Sequence, residues 1–352
     1  MQQFNNLTIR NLGVAFFGNP EESVIVLEKL VNANCPVVCV VTKPPQPVGR
    51  KQTLTPSPVS TWATTHNLPV LTFAADTQKP WQFADEQKVT QEILKSKPDI
   101  LVSADYTQKI PISLISQIKY GGLNIHPSLL PAYRGPAPVP WQILNGETET
   151  GVSIVTLAEE FDAGDVIAQE KEPLLPTYTT PILLTRLFTK GADLLVKTLP
   201  EYFAQQTKKP INLDQIKQSS YYPRLTRADG FIPWELVKTA IEGKTLTQST
   251  IKQFNNLTIV KAWNNNKKNG LAQASLAVLI DRSFRAFHPW PGIWTKVKIN
   301  NAEKRLKILK LHLTSNFELR TSNLRIDQIQ LEGKQPLDTI NTSMFLKYKL
   351  GI

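Results

Sequence analysis

The stretch LGVAFFGNPEESVIVLEKLVNANCPVVCVVT, residues 12–42, decides the fold. LGVAFFG is an apolar run closed by Gly18, which reads as a strand. NPEESVIVLEKLVNA follows with a turn and acidic residues suited to a first helical turn. Its apolar positions Val24, Val26, Leu27, Leu30 and Val31 recur on a helical repeat. PVVCVVT is a second buried strand. Strand, tight turn, helix and strand in this order specify a parallel pair with a crossover helix.

The alternation continues. Helices are expected at VSTWATTHN (59–67), QKVTQEILKSK (87–97), PISLISQI (111–118) and VPWQILNG (139–146), with a closing helix over 181–206. Strands are expected at LPVLTF (68–73), DILVSA (99–104), GGLNIH (121–126) and TGVSIVTL (150–157). The fold class is α/β: an open, mostly parallel, Rossmann-like sheet with helices on both faces, built by residues 1–206. Residues 207–222 read as a linker. Residues 223–352 carry the short β-like runs RLKILKLHL, FELR and LRIDQIQL, which suggest a small, OB-like β-barrel. QFNNLTI occurs at 3–9 and again at 253–259, too short a match to define a structural repeat.

Composition narrows the function classes. The chain has 352 residues, 41% of them hydrophobic, enough for two cored domains. No apolar run approaches the roughly 20 residues of a membrane span, and the N-terminus has no secretory pattern. A cytoplasmic, monomeric protein is expected. Cys35 and Cys39 lie four apart in an apolar run, on one face if the strand includes both, and read as two buried thiols of a reducing compartment. No further cysteine and no nearby histidine completes a metal site, so no metal is expected. Residues 1–207 hold 16 basic and 19 acidic side chains, whereas residues 208–352 hold 24 and 10. A basic excess confined to the C-terminal part points to a polyanion, nucleic acid first.

The chemistry gathers at LNIHPSLLPAYRG, residues 123–135. Pro127 and Pro131 exclude a regular helix there. Asn124 and His126 alternate at the end of a predicted strand, share one face, and sit where open α/β sheets put ligands. Asp162, in the loop EEFDAGDVI after the next strand, offers a carboxylate. Such a set supplies a positioned imidazole with a raised pKa and a neutral donor. Asn-x-His taken alone reads better as a satisfied structural histidine than as a catalytic one.

The longer stretch NIHPSLLPAYRGPAPVPWQILNGETETGVSIVTLAEEFDAGDVI, residues 124–167, resembles the signature of the folate-dependent formyltransferases, with the histidine and aspartate 36 residues apart. GRKQTLTPSPV, RLTRADGFIPW, RAFHPWPGIWT and LEGKQPLDTINTSMFL resemble further stretches of the branch that acts on tRNA. The resemblance implies formyl transfer from 10-formyltetrahydrofolate to the amino group of methionine on initiator methionyl-tRNA. It implies Asn124, His126 and Asp162 as catalytic residues, and Ser128, Leu129, Leu130 and Pro131 as the folate-side wall. It implies Arg50 and Lys51 in a loop that meets the acceptor end of tRNA. Arg134 is a candidate anchor of the turn, and Trp290 and Pro291 are expected to pack the barrel. FFGNPEES, Asp105 and Tyr106 depart from the family pattern, and residues 236–280 read as an insertion. Formylation of a small amino-sugar nucleotide or ribonucleotide, hydrolysis of the formyl-folate, and RNA binding without catalysis stay open as rivals.

Overall fold

A computed structural model describes residues 9–49, 51–205, 221–244, 248–268, 275–316 and 321–351. They form two units. The first comprises Met1–Pro138, Glu149–Pro173 and Leu184–Tyr222, and the second Val139–Thr148, Leu174–Leu183 and Pro223–Ile352.

The chain begins with β1 (Val14–Gly18), α1 (Glu21–Asn32), β2 (Val37–Thr42), β3 (Gln46–Val48), β4 (Thr53–Thr55), α2 (Pro58–Thr65) and β5 (Val70–Thr72). It continues with α3 (Glu86–Lys95), β6 (Ile100–Ala104), α4 (Ile112–Ile115), β7 (Gly122–His126), α5 (Pro138–Asn145), β8 (Glu149–Thr156), β9 (Val166–Pro173) and α6 (Thr180–Gln205). Local chemistry sets these boundaries. Glu21 and Glu22 meet the positive end of α1, and its buried residues Ser23, Val26, Leu27 and Leu30 fall on one stripe. Ser57 caps α2 by accepting from the Ser60 N–H, with Pro58 in the first helical position. Asp85 caps α3 through the Lys88 N–H.

The main sheet has the order β5-β2-β1-β6-β7-β8-β9. Pairings from β5 to β7 are parallel, while β7–β8 and β8–β9 are antiparallel. The mostly parallel sheet expected from the sequence is present. Its central strands β1 and β6 are buried throughout, because helices cover both faces. One core cluster takes Val14, Phe16, Val40, Val102 and Ile125, and the other takes Ala15, Phe17, Val41 and Leu101.

Several expectations need correction. Cys35 and Cys39 are both buried but belong to opposite clusters, because β2 starts only at Val37 and Cys35 sits in the preceding turn. Burial pushes both thiols up to about 11, so they stay protonated and act as small apolar groups. β9 was not anticipated. It is an edge strand whose later residues, Gln169 to Glu172, carry polar side chains that hide its alternation. The basic loop contains the hairpin β3–β4, all exposed, so no burial pattern marked it in the sequence.

The second unit contains α7 (Trp234–Ile241), α8 (Gln248–Gln253), α9 (Thr258–Lys268), α10 (Leu276–Phe287), β10 (Ile293–Ile299), β11 (Ala302–Asn316), β12 (Thr321–Leu331), β13 (Pro336–Leu337) and α11 (Thr339–Leu350). The stretch read as an insertion is thus largely helical. The β-rich element expected here is a four-stranded antiparallel sheet in the order β10-β11-β12-β13. Ile293, Thr295, Val297, Leu306 and Ile308 point inward. Lys296, Lys298, Arg305 and Lys307 alternate with them on the other face, so period-two patterning sorts the charge outward. Trp290, expected in the packing, is 54% exposed. Inward alternation begins only at Ile293, beyond the HPWPG turn.

Thr295 is fully buried between Ile293 and Val297, and its hydroxyl has no hydrogen-bond partner among the described residues. A buried, unpaired hydroxyl is destabilising, and valine has the same branched shape. Thr295→Val is therefore expected to raise unfolding free energy by about 1 kcal/mol. Denaturant titration checks this, and an equal or lower midpoint refutes it.

Candidate active site

β7 delivers two polar residues to one face. Leu123 and Ile125 turn into the core below, which leaves Asn124 and His126 on the opposite side. The parallel neighbour β6 sets Ser103 beside Asn124, and the antiparallel neighbour β8 sets Ser153 beside His126. The third residue arrives on the β8–β9 connection. Gly164 lets that loop return tightly, since a Cβ there would lie 1.9 Å from the Thr156 carbonyl oxygen. Asp162 adopts a left-handed backbone, φ 54°, which turns its carboxylate toward β7.

The three sequence-predicted catalytic residues meet. His126 Nδ1 lies 3.2 Å from Asp162 Oδ1, with side chains only 4% and 9% exposed. The Asn124 amide donates to the same oxygen at 3.3 Å. The Gly135 backbone N–H donates to Asp162 Oδ2 at 3.1 Å. Three donors thus converge on one buried carboxylate. On its other side, His126 Nε2 lies 3.0 Å from the Tyr133 carbonyl oxygen.

Both ring nitrogens of His126 therefore face acceptors. A neutral imidazole has one N–H and would set a lone pair against one of them, so the imidazolium fits this environment. The pKa directions agree. Burial opposes charge on His126, but the Asp162 charge, its hydrogen bond and the Tyr133 carbonyl together outweigh burial and the nearby Arg134, and raise the pKa. Burial likewise opposes charge on Asp162, yet His126, the Gly135 N–H and Arg134 hold it below its ordinary value.

Arg134 does anchor the turn. Its guanidinium donates to the Phe161 carbonyl at 3.1 Å and pairs with Glu160 at 3.5 Å, which ties residues 133–135 to the loop bearing Asp162. Ser128 and Leu130 face inward. Ser128 Oγ donates to the Ala132 carbonyl, and Leu130 packs with Val155 and Val166. Leu129 and Pro131 stay partly exposed. Lys51 is exposed beside β4, and Arg50 lies outside the described residues. Sequence reasoning missed the Tyr133 carbonyl, the Gly135 amide and Ser153. Ser153 Oγ donates to the Ser128 carbonyl and accepts from the Leu130 N–H and from Gln169. Only Gly135 carried a signal, as a glycine within a turn.

Among the described residues no group of three or more His, Cys, Asp or Glu side chains could hold a metal ion, and no helix is long and apolar enough to cross a membrane. Residues 12–199 match the formyl transferase family and residues 274–322 match the formyl transferase C-terminal domain. The chain belongs to the formyl transferase family. Its relatives include a methionyl-tRNA formyltransferase of Halalkalibacterium halodurans, 37% identical over 63% of this chain and 67% of the relative. Another, from Listeria innocua, is 37% identical over 66% of this chain and 76% of the relative. Among solved structures, WlaRD, a sugar 3N-formyl transferase, shares the fold with a TM-score of 0.53 at 18% identity, covering 92% of this chain and 99% of that one.

The ion pair makes stability depend on pH. His126 has a raised pKa, so its contribution is complete below its ordinary 6.5 and is lost as pH rises through the folded value. Asp162 has a lowered pKa, so its contribution is complete above its ordinary 3.8 and is lost as pH falls through the folded value. Wild type and Asp162→Asn should differ most in unfolding free energy between these two pH values, and the gap should narrow at alkaline pH. A gap independent of pH from acid to alkaline conditions would show that the pair is not ionised in the folded protein.

Proposed function

We propose that this formyl transferase moves the formyl group of 10-formyltetrahydrofolate onto the amino group of methionine carried by initiator methionyl-tRNA. The observation that carries the reading is Asn124 and His126 converging on the buried Asp162 carboxylate at the end of β7. The tRNA acceptor is supported by the relatives' names and by the basic excess after residue 207.

The amine attacks the formyl carbon, and the carbonyl oxygen becomes an oxyanion. The carbon–N10 bond then breaks, and N10 takes up the proton that the amine gives up. Asn124 has two amide hydrogens. One is held by Asp162, and the other serves the oxyanion from this half-buried position. His126, held as a cation, lends positive charge beside it. Asp162, kept ionised by its three donors, passes the amine's proton through water toward N10. No covalent enzyme intermediate is needed. Ser128 to Pro131 form the folate-side wall: Ser128 and Leu130 brace it from within, and Leu129 and Pro131 stay open to the ligand. Arg50 and Lys51 meet the tRNA acceptor end.

Purified protein with 10-formyltetrahydrofolate and methionyl-tRNA should yield formylmethionyl-tRNA. An amino-sugar nucleotide accepted in place of the tRNA, or formate released without an acceptor, would replace this reading. Asn124→Ala should lower kcat by roughly 10²–10³. His126→Ala and Asp162→Ala should each lower it by roughly 10²–10⁴ while tRNA affinity stays within a few-fold. Association with tRNA should weaken steeply with salt, because neutralised phosphates release counterions. Salt-independent tRNA affinity would remove the polyanion argument.

A further inference from the structure

The turn Tyr133–Gly135 holds the site together through each of its residues. The Tyr133 carbonyl accepts from His126, the Arg134 guanidinium grips the loop beside Asp162, and the Gly135 N–H donates to Asp162. The turn belongs to no helix and no strand of the main sheet. Tyr133 and Gly135 both have left-handed backbone, with φ 61° and 106°. Glycine adopts such a backbone freely, but a tyrosine keeps it only where surrounding contacts over-determine it.

Tyr221 and Tyr222 make those contacts. Tyr221 forms a parallel β-bridge with Arg134, and the Tyr222 N–H donates to the Arg134 carbonyl at 2.8 Å. The Tyr222 ring stacks on the Tyr133 ring, with centroids 4.6 Å apart and planes inclined by 24°. Backbone passes so close that a Cβ on Gly135 would lie 2.6 Å from the Tyr222 carbonyl oxygen. We infer that Tyr222 is a positioning residue for the formyl-transfer site: its ring and backbone clamp the turn whose Tyr133 carbonyl orients His126, and it acts without touching the reacting atoms. The kinetic consequence rests on the proposed activity, whereas the clamp itself is read on His126.

The groups that face His126 are Asp162, the Tyr133 carbonyl and the Arg134 guanidinium, with Asn124 reaching it through Asp162 and Glu160 paired to Arg134. Removing the clamp loosens the Tyr133 carbonyl contact first. That contact favours the charged imidazole, so its loss lowers the pH at which His126 titrates.

The test compares wild type, Tyr222→Ala, Tyr222→Leu and Tyr222→Phe as full chains. Imidazole NMR follows His126 across pH, and kcat and KM are measured for formyl-folate and methionyl-tRNA. In Tyr222→Ala, His126 should titrate at a lower pH than in wild type. Its kcat should fall roughly tenfold with both KM values little changed. Tyr222→Phe should restore both properties by keeping the ring. Tyr222→Leu fills the space without a stacking ring and should behave like Tyr222→Ala, which covers the case in which the alanine variant fails to fold. An unmoved His126 titration overturns the inference, even if kcat falls along with melting temperature. A shifted titration with wild-type kcat overturns it as well. Wild-type protein that forms no formylmethionyl-tRNA would refute the proposed activity, and the His126 titration would still decide the clamp.

Discussion

A carboxylate that is almost wholly enclosed by protein keeps its charge only if several donors converge on it, and Asp162 recruits three. Each donor belongs to a different piece of local structure or a different kind of group. One is a strand side chain amide, one a strand imidazole, and one a backbone N–H from a proline-rich turn. Satisfying the carboxylate therefore assembles the site. The same contacts favour the charged form of His126 and fix one Asn124 amide hydrogen, and the Gly135 N–H ties the turn to the carboxylate.

The sheet explains why this happens at the end of β7. Parallel strands end together at one edge, and the loops that follow them meet there. The antiparallel pair β8–β9 adds something the parallel strands do not supply. Ser153 stands beside His126 and bonds the Ser128 carbonyl and the Leu130 N–H, while Gln169 on β9 donates to the Leu130 carbonyl. The segment after His126 is thus sewn to β8 and β9 by side chains, because its prolines keep it from pairing as a strand. The switch from parallel to antiparallel order gives His126 a braced neighbour.

In the C-terminal unit one physical rule separates packing from charge. Alternation along β10 and β11 turns Ile293, Val297, Leu306 and Ile308 inward and Lys296, Lys298, Arg305 and Lys307 outward. The excess of basic residues after residue 207 is therefore compatible with a well-packed core, and part of it lies on the outer face of the sheet, where Lys296 pairs with Glu303 and Arg305 with Glu332.

The sequence by itself determined the elements whose signal is carried by residue type. The buried strands β1, β2 and β6, the amphipathic α1 and the Ser57 and Asp85 caps are all legible from periodicity and side-chain chemistry. So was the pairing of Asn124, His126 and Asp162, through their spacing within a family signature. Edge strand β9 and the exposed hairpin β3–β4 were not legible, since neither buries a continuous apolar face. Cys35 and Cys39 fell on opposite core faces because the strand began two residues later than the apolar run suggested. Only the tertiary structure decided that the Tyr133 carbonyl and the Gly135 amide complete the site, with Tyr222 laid across them. Every residue has a carbonyl, and nearly every residue has an N–H. Which of them reaches a buried charge depends on the path of the backbone in space, and no residue type records that.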